Sequence, residues 1–150
     1  MINLIGVIGA GQCNADTADL AYAVGSEIAG HGFGLVCGGL GGVMEAACKG
    51  CQEAGGLTVG IIPQDKSDAG NKYLDIIIPT GMGIMRNLLV VRSAVGLIAV
   101  SGRYGTLSEI AFALQLKKPL VALNSWDVSE EILKAQNPQQ AVELLLEQIK

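Results

Sequence analysis

The residues best placed to do chemistry follow the apolar run Val95 to Val100. There Ser101-Gly102-Arg103-Tyr104-Gly105 forms a turn into a helical pattern that begins near Thr106. A glycine turn between a strand and a helix leaves backbone N–H groups free beside the positive end of the helix dipole, which is an anion site. Gly102 and Gly105 allow the close approach that such a site needs. Thr106 and Glu109 have the Thr-x-x-Glu spacing of a capping box, in which the two side chains satisfy the free amides of the helix start. The same spacing sets a carboxylate next to the turn, where it could act on a bound group; the two roles are compatible. Arg86 lies in the first turns of another helix, after Thr80-Gly81-Met82-Gly83. Its guanidinium could pair with phosphate in a bidentate manner or lie solvated on the surface.

Two further glycine loops join these residues. Gly9-Ala10-Gly11-Gln12-Cys13-Asn14 follows the strand Asn3 to Ile8 and is half of a G-x-G-x-x-G fingerprint, with Asn14 in place of the third glycine. Gly38-Gly39-Leu40-Gly41-Gly42 ends the strand Phe33 to Cys37 and leads into a helix that carries Met44. This loop holds more glycine than a simple turn needs, and it lies where open α/β sheets take ligands. A dinucleotide fold would place an acidic residue about 20 positions past its first glycine turn. Glycines stand there instead, which argues against NAD. The C-x-x-C pair Cys48 and Cys51 has no second Cys/His pair, so it reads as packing and no metal is expected. His31 is the single histidine and reads as a partner for a helix C-terminus.

The elements that must position these residues alternate regularly. Strands are predicted at Asn3–Ile8, Phe33–Cys37, Leu57–Ile62, Leu74–Ile78, Val95–Val100 and Leu120–Leu123. A helix capped by Asn14 or Asp16 carries Leu20, Val24 and Ile28 on one side. The next helix starts at Val43. Ile84, Leu88 and Val91 mark the buried face of the Arg86 helix, and Leu107, Ile110, Ala111 and Leu114 that of the helix after Gly105. A short helix is expected around Ser129 to Lys134. A final helix is opened by Asn137 at the cap and Pro138 at N1, with Val142, Leu145, Leu146 and Ile149 facing inward. This order defines a three-layer, Rossmann-like α/β fold: a mostly parallel sheet of six to seven strands with helices on both faces.

The 150 residues fit one domain, residues 1–150. Half of them are hydrophobic and 16% are charged, as a sheet buried on both faces requires. The net charge is −4 and no basic run is present, so nucleic acid is not an expected partner. No signal peptide is read at the start, no apolar stretch is long enough to span a membrane, and the four cysteines read as free thiols. A cytoplasmic protein without a membrane partner is expected. The apolar faces Ile84 to Val91 and Ile110 to Leu116 suggest a homodimer or higher homo-oligomer.

Gly38-Gly39-x-x-Gly42-Val43-Met44, Met85-Arg86-Asn87 and Ser101-Gly102-Arg103-Tyr104-Gly105-Thr106-Leu107-Ser108-Glu109 together resemble the LONELY GUY (LOG) family, also known as lysine decarboxylase-like. The resemblance spans nearly the whole chain in element order. It is nearer to a short branch that includes molybdenum cofactor carrier proteins. It implies a Rossmann-like fold, a dimer and a phosphorylated ligand. LOG enzymes are phosphoribohydrolases that cut the N-glycosidic bond of cytokinin nucleoside monophosphates. By position, Gly102, Gly105 and Thr106 would hold phosphate, and Arg86 and Glu109 match the catalytic pair. The ligand-binding set expected overall is Gly9, Gly11, Gly38, Gly39, Gly41, Gly42, Met44, Arg86, Asn87, Gly102, Arg103, Gly105, Thr106 and Glu109.

The chain departs from the LOG signature Pro-Gly-Gly-x-Gly-Thr-x-x-Glu and its upstream Arg-Lys pair. Ser101 replaces the proline, Arg103 the second glycine and Asn87 the lysine, and Glu45 stands where the enzymes have glycine. The first three changes fall at the reaction centre. The expected function is therefore binding of a nucleotide or a phosphorylated cofactor such as molybdenum cofactor, with no further cofactor required. The alternative is LOG-type cleavage of a nucleoside 5′-monophosphate.

Overall fold

The computed structural model describes residues 1–149. Its strands are β1 (Leu4–Gly9), β2 (Gly34–Cys37), β3 (Thr58–Ile62), β4 (Ile76–Pro79), β5 (Gly96–Val100), β6 (Leu120–Leu123) and β7 (Leu133–Lys134). Its α-helices are α1 (Ala15–Gly30), α2 (Val43–Glu53), α3 (Asn87–Ser93), α4 (Tyr104–Gln115) and α5 (Pro138–Ile149). All the strand pairs are parallel, in the order β4-β3-β2-β1-β5-β6-β7. The three-layer α/β expectation is met, with seven strands. Among the described residues, no helix is long and apolar enough to cross a membrane.

Alternate residues of each strand feed two separate cores, as the pleat requires. Ile5, Val7, Leu35, Cys37, Ile98 and Val100 pack with α1, α2 and α5. Ile8, Val36, Val59, Ile61, Leu97 and Ala99 pack with α3 and α4. The central strands β2, β3, β5 and β6 are buried along their whole length, which explains their near-continuous apolar runs. The helix ends follow local chemistry. The Asn14 side chain accepts from Thr17 N (2.9 Å) at the start of α1, and Asn137 accepts from Gln140 N (2.8 Å) at the start of α5. His31 Nδ1 lies 2.9 Å from the Glu27 carbonyl oxygen, at the C-terminus of α1 as expected.

Several expectations are corrected. The segment Ser129 to Lys134 forms a turn and then β7, not a helix. A helix this short is marginal, whereas the open edge of β6 offers backbone partners. The fourth strand starts at Ile76, not Leu74. A 3₁₀ turn, Gly83–Arg86, precedes α3, whose buried residues are Asn87, Val90 and Val91. Ile84 is 68% exposed and Leu88 is half-buried, so the face predicted from the apolar residues is rotated. In α4 the buried face is Thr106, Glu109, Ile110 and Ala113, again at i, i+3, i+4, i+7, while Ala111 is exposed and Leu107 and Leu114 are half-buried. Cys37, Cys48 and Cys51 are buried free thiols, and Cys48 and Cys51 pack in the core as their small-residue reading expected.

Candidate functional site

Strand order reverses between β1 and β5: α1 carries the chain outward from β1 to β2, whereas β5 returns to the other side of β1. Open parallel sheets form a crevice at such a point. Gly9, at the tip of β1, pairs in register with Val100, at the tip of β5. The loops that follow β1, β2 and β5 converge there with the 3₁₀ turn that bears Arg86, around a cavity of about 530 Å³. Gly42 makes the approach of two of these loops workable. It has φ +62°, a Cβ there would stand 2.3 Å from the Ala10 carbonyl oxygen, and Val43 N donates to that same oxygen (2.9 Å).

Arg86 is 8% exposed and firmly held. Its Nε donates to Ile61 O (2.9 Å), Nη2 donates to Gly38 O (3.3 Å) and Nη1 donates to the Asn87 side-chain oxygen. N–H groups on both Nη atoms remain for a ligand. Gly38 lies so close that a Cβ would stand 2.7 Å from Arg86 Nη2. Burial lowers the Arg86 pKa from its ordinary value, and the charge of Glu109 opposes the shift. Asn87 is 2% exposed and joins two elements. Its Nδ2 donates to Ser108 Oγ (3.1 Å) and to Gly105 O (3.5 Å), so it ties the arginine turn to the start of α4.

The helix α4 begins earlier than the Thr-x-x-Glu spacing suggested. Arg103 is at the N-cap position and the first intrahelical bond runs from Leu107 N to Arg103 O (3.0 Å). The N–H groups of Tyr104, Gly105 and Thr106 therefore precede the helical ladder, at the positive end of its dipole. Thr106 lies inside the helix, so the capping box does not form. Glu109 is instead 7% exposed and lines the cavity. Among the described residues its carboxylate has no ion-pair partner, and no fully enclosed side-chain oxygen is left without a hydrogen bond. Burial raises its pKa to about 8, with Arg86 pulling the other way.

Of the expected residues, Gly9, Gly11, Gly38, Met44, Arg86, Asn87, Arg103, Gly105, Thr106 and Glu109 line this one cavity. Gly39, Gly41, Gly42 and Gly102 do not. Gly41 approaches the Gly11 carbonyl, and Gly102 lies against the Thr106 side chain, where a Cβ would stand 2.4 Å away. These glycines shape the loops from behind. Sequence reasoning missed Ala10, Gln12 and Leu40, which also line the cavity. Gln12 was within reach as the polar residue inside the first glycine loop. Leu40 carried no signal, since an apolar residue between glycine pairs reads as a loop filler. Glu45 is half-buried and faces a separate cavity with Lys49, Lys72 and Tyr73. Among the described residues there is no cluster of metal-ligand type.

The chain belongs to the SLOG cluster4 family, whose sequence profile matches residues 3–149. Among the proteins similar to it are two solved structures and one curated relative. The molybdenum cofactor binding protein of the phototrophic bacterium Rippkaea orientalis is 34% identical with a TM-score of 0.94, over 100% of this chain and 99% of that one. The molybdenum cofactor carrier protein of Chlamydomonas reinhardtii is also 34% identical with a TM-score of 0.87, over 99% and 98% of the two chains. The cytokinin riboside 5′-monophosphate phosphoribohydrolase of Mycobacterium tuberculosis is 31% identical over 78% of this chain and 67% of its own length.

Proposed function

We propose that this chain, acting as one domain over residues 1–150 in the cytoplasm, binds a nucleotide or a phosphorylated cofactor of the molybdenum cofactor type. The observation that carries the reading is the meeting, in one cavity, of the Arg86 guanidinium, the free first-turn amides of α4 and the buried Glu109. The amides and Arg86 supply donors for the phosphate oxygens. Glu109, protonated below about pH 8, supplies a further donor without repelling the anion. Thr106, Met44 and the Gly9, Gly11 and Gly38 backbone complete the wall. The likeness to two molybdenum cofactor proteins supports this ligand class. No resident metal is needed.

A thermal-shift panel of nucleoside monophosphates, ribose 5-phosphate and phosphorylated pterins tests the reading, with mass spectrometry of whatever co-purifies. A ligand at 100 times its Kd adds about 2.7 kcal/mol of stability. A ligand held unchanged supports binding without turnover. A panel that leaves the melting temperature unmoved refutes the proposal.

The second reading is phosphoribohydrolysis, favoured by the Arg86–Glu109 juxtaposition and by the mycobacterial relative. The bond from ribose C1′ to the base nitrogen would break. Water would give hydroxide to C1′ and a proton to the leaving base, forming ribose 5-phosphate. Arg86 would position the substrate and stabilise developing negative charge. Ionised Glu109 would stabilise the oxocarbenium-like ribose or orient the water. With a pKa of about 8 the carboxylate predominates only in alkaline solution, so this activity would rise with pH. Release of ribose 5-phosphate, abolished by Glu109→Gln and Arg86→Ala, is its test.

The protein also self-associates in this reading. Ile76 and Ile78 pair with Val59 and Ile61, whose side chains pack on the α3–α4 side, yet both are exposed. Met82, Ile84, Met85 and Phe112 are exposed as well. Apolar surface of this kind suits a second copy of the chain.

A further inference from the structure

Tyr104 is 75% exposed, although its chain neighbours Arg103 and Gly105 both line the cavity. It is the first residue of α4, between those two lining residues, and does not itself line the cavity. Its ring is stacked on Trp126, with centroids 6.3 Å apart and planes inclined by 27°. The indole is fixed in turn. Its Nε1–H donates to the Arg103 carbonyl oxygen (3.0 Å), and its body packs on the apolar core beneath α3 and α4. One side of the phenol ring is thus braced by a second aromatic that is tied to the cavity wall, while most of the ring is open to solvent. A braced, open aromatic face of this kind is well suited to a planar group.

We propose that Tyr104, braced by Trp126, is the stacking platform for the planar heterocycle of the ligand, a purine or pterin attached to the phosphate that the cavity takes. The inference rests on the phosphate-binding reading above and adds the recognition of the other end of the molecule. A phosphate on the amides of Gly105 and Thr106 would bring its attached heterocycle within reach of the Tyr104 ring, one residue from the lining Gly105. Arg103, exposed beside it, can lay its planar guanidinium against the same ring system. Stacking tolerates different bases, since each offers a π-face. The platform therefore selects for a heterocycle, not for one base.

Trp126 is the only tryptophan in the chain, so its emission reports on the platform directly. The full-length protein would be titrated with AMP, GMP and ribose 5-phosphate, following both fluorescence and heat. The monophosphates are expected to change the Trp126 emission, and ribose 5-phosphate to bind without doing so. Tyr104→Ala is expected to weaken the monophosphates about tenfold and to leave ribose 5-phosphate unaffected, while Tyr104→Phe keeps the wild-type affinities. If Tyr104→Ala binds monophosphates as the wild type does while Arg86→Ala loses them, the platform is wrong and the phosphate site stands. If Tyr104→Ala lowers the sedimenting mass with affinities unchanged, the ring is a subunit contact and the inference is overturned. If the wild type binds none of the three compounds and no phosphorylated pterin, both readings fall together.

Discussion

Arg86 and Glu109 line the same cavity, are both more than nine-tenths buried, and form no ion pair. Buried opposite charges are normally in contact, because an uncompensated charge in low dielectric is costly. Here Arg86 is turned away toward the carbonyls of Ile61 and Gly38 and toward Asn87. Burial raises the Glu109 pKa to about 8, which favours the protonated acid below that pH. The space between them is thus bounded by a fixed cation and a carboxylic acid, which suits an incoming anion.

Arg86→Ala should remove stabilisation by a phosphorylated ligand. It should also lower the stability of the ligand-free protein by about 1–3 kcal/mol, since two buried carbonyls lose a donor. Arg86→Lys should recover part of the fold stability but not the affinity, because an ammonium cannot reproduce the planar fork. Melting curves with and without ligand separate the two effects.

Glu109 gives a pH signature of known sign. Its folded-state pKa of about 8 lies above the ordinary 4.5. Between those values the native state holds a proton that the unfolded state has released. Stability should therefore fall as pH rises across that window, by about 1.4 kcal/mol per pH unit at most. Glu109→Gln should flatten the slope, matching the wild type below pH 4.5 and exceeding it in alkaline solution. Anion affinity should likewise decline through about pH 8 in the wild type and not in the variant. Denaturant titrations at several pH values check the sign.

Two glycine substitutions should act differently. In Gly42→Ala the new Cβ meets the Ala10 carbonyl at 2.3 Å, with φ at +62°. The expected loss is in stability, about 1–3 kcal/mol. In Gly38→Ala the Cβ meets Arg86 Nη2 at 2.7 Å and Met44 Sδ at 3.0 Å. Both are side-chain ends and not backbone, so the fold should survive, but the hydrogen-bonded guanidinium is forced from its place and ligand affinity falls by about tenfold. Calorimetry on both variants, with unfolding curves alongside, distinguishes them.

Ile84→Glu and Phe112→Glu place charge on exposed apolar positions of the α3–α4 side. Neither side chain lies in the cavity. Each should lower the sedimenting mass of the protein without changing the fold. A wild-type mass equal to one chain would refute the subunit contact.

Most of the fold was legible because its signals are local. Apolar runs marked the strands, Asn14 and Asn137 marked helix starts, and glycines marked the loops at strand tips. The cavity was legible to the same extent, since its loops follow β1, β2 and β5. What could not be read was orientation. Thr-x-x-Glu looks the same whether it caps a helix or faces a cavity, and the outcome turned on α4 starting at Tyr104 instead of Thr106. The apolar stripe Leu107, Ala111, Leu114 outweighed Thr106 and Glu109 in any search for a buried face, yet the polar pair is inside. A helix that walls a cavity buries polar side chains along it, and periodicity counts them as surface. The two-residue β7 has no periodicity at all; only the open edge of β6 creates it.

Calorimetric titration of the wild type and of Arg86→Ala with a nucleoside monophosphate at pH 7, with the unphosphorylated nucleoside as control, bears most directly on the phosphate site. Binding of the monophosphate to the wild type alone, with the nucleoside much weaker, is the predicted result. Equal binding of the monophosphate to both proteins, or equal binding of nucleoside and monophosphate, would contradict the account.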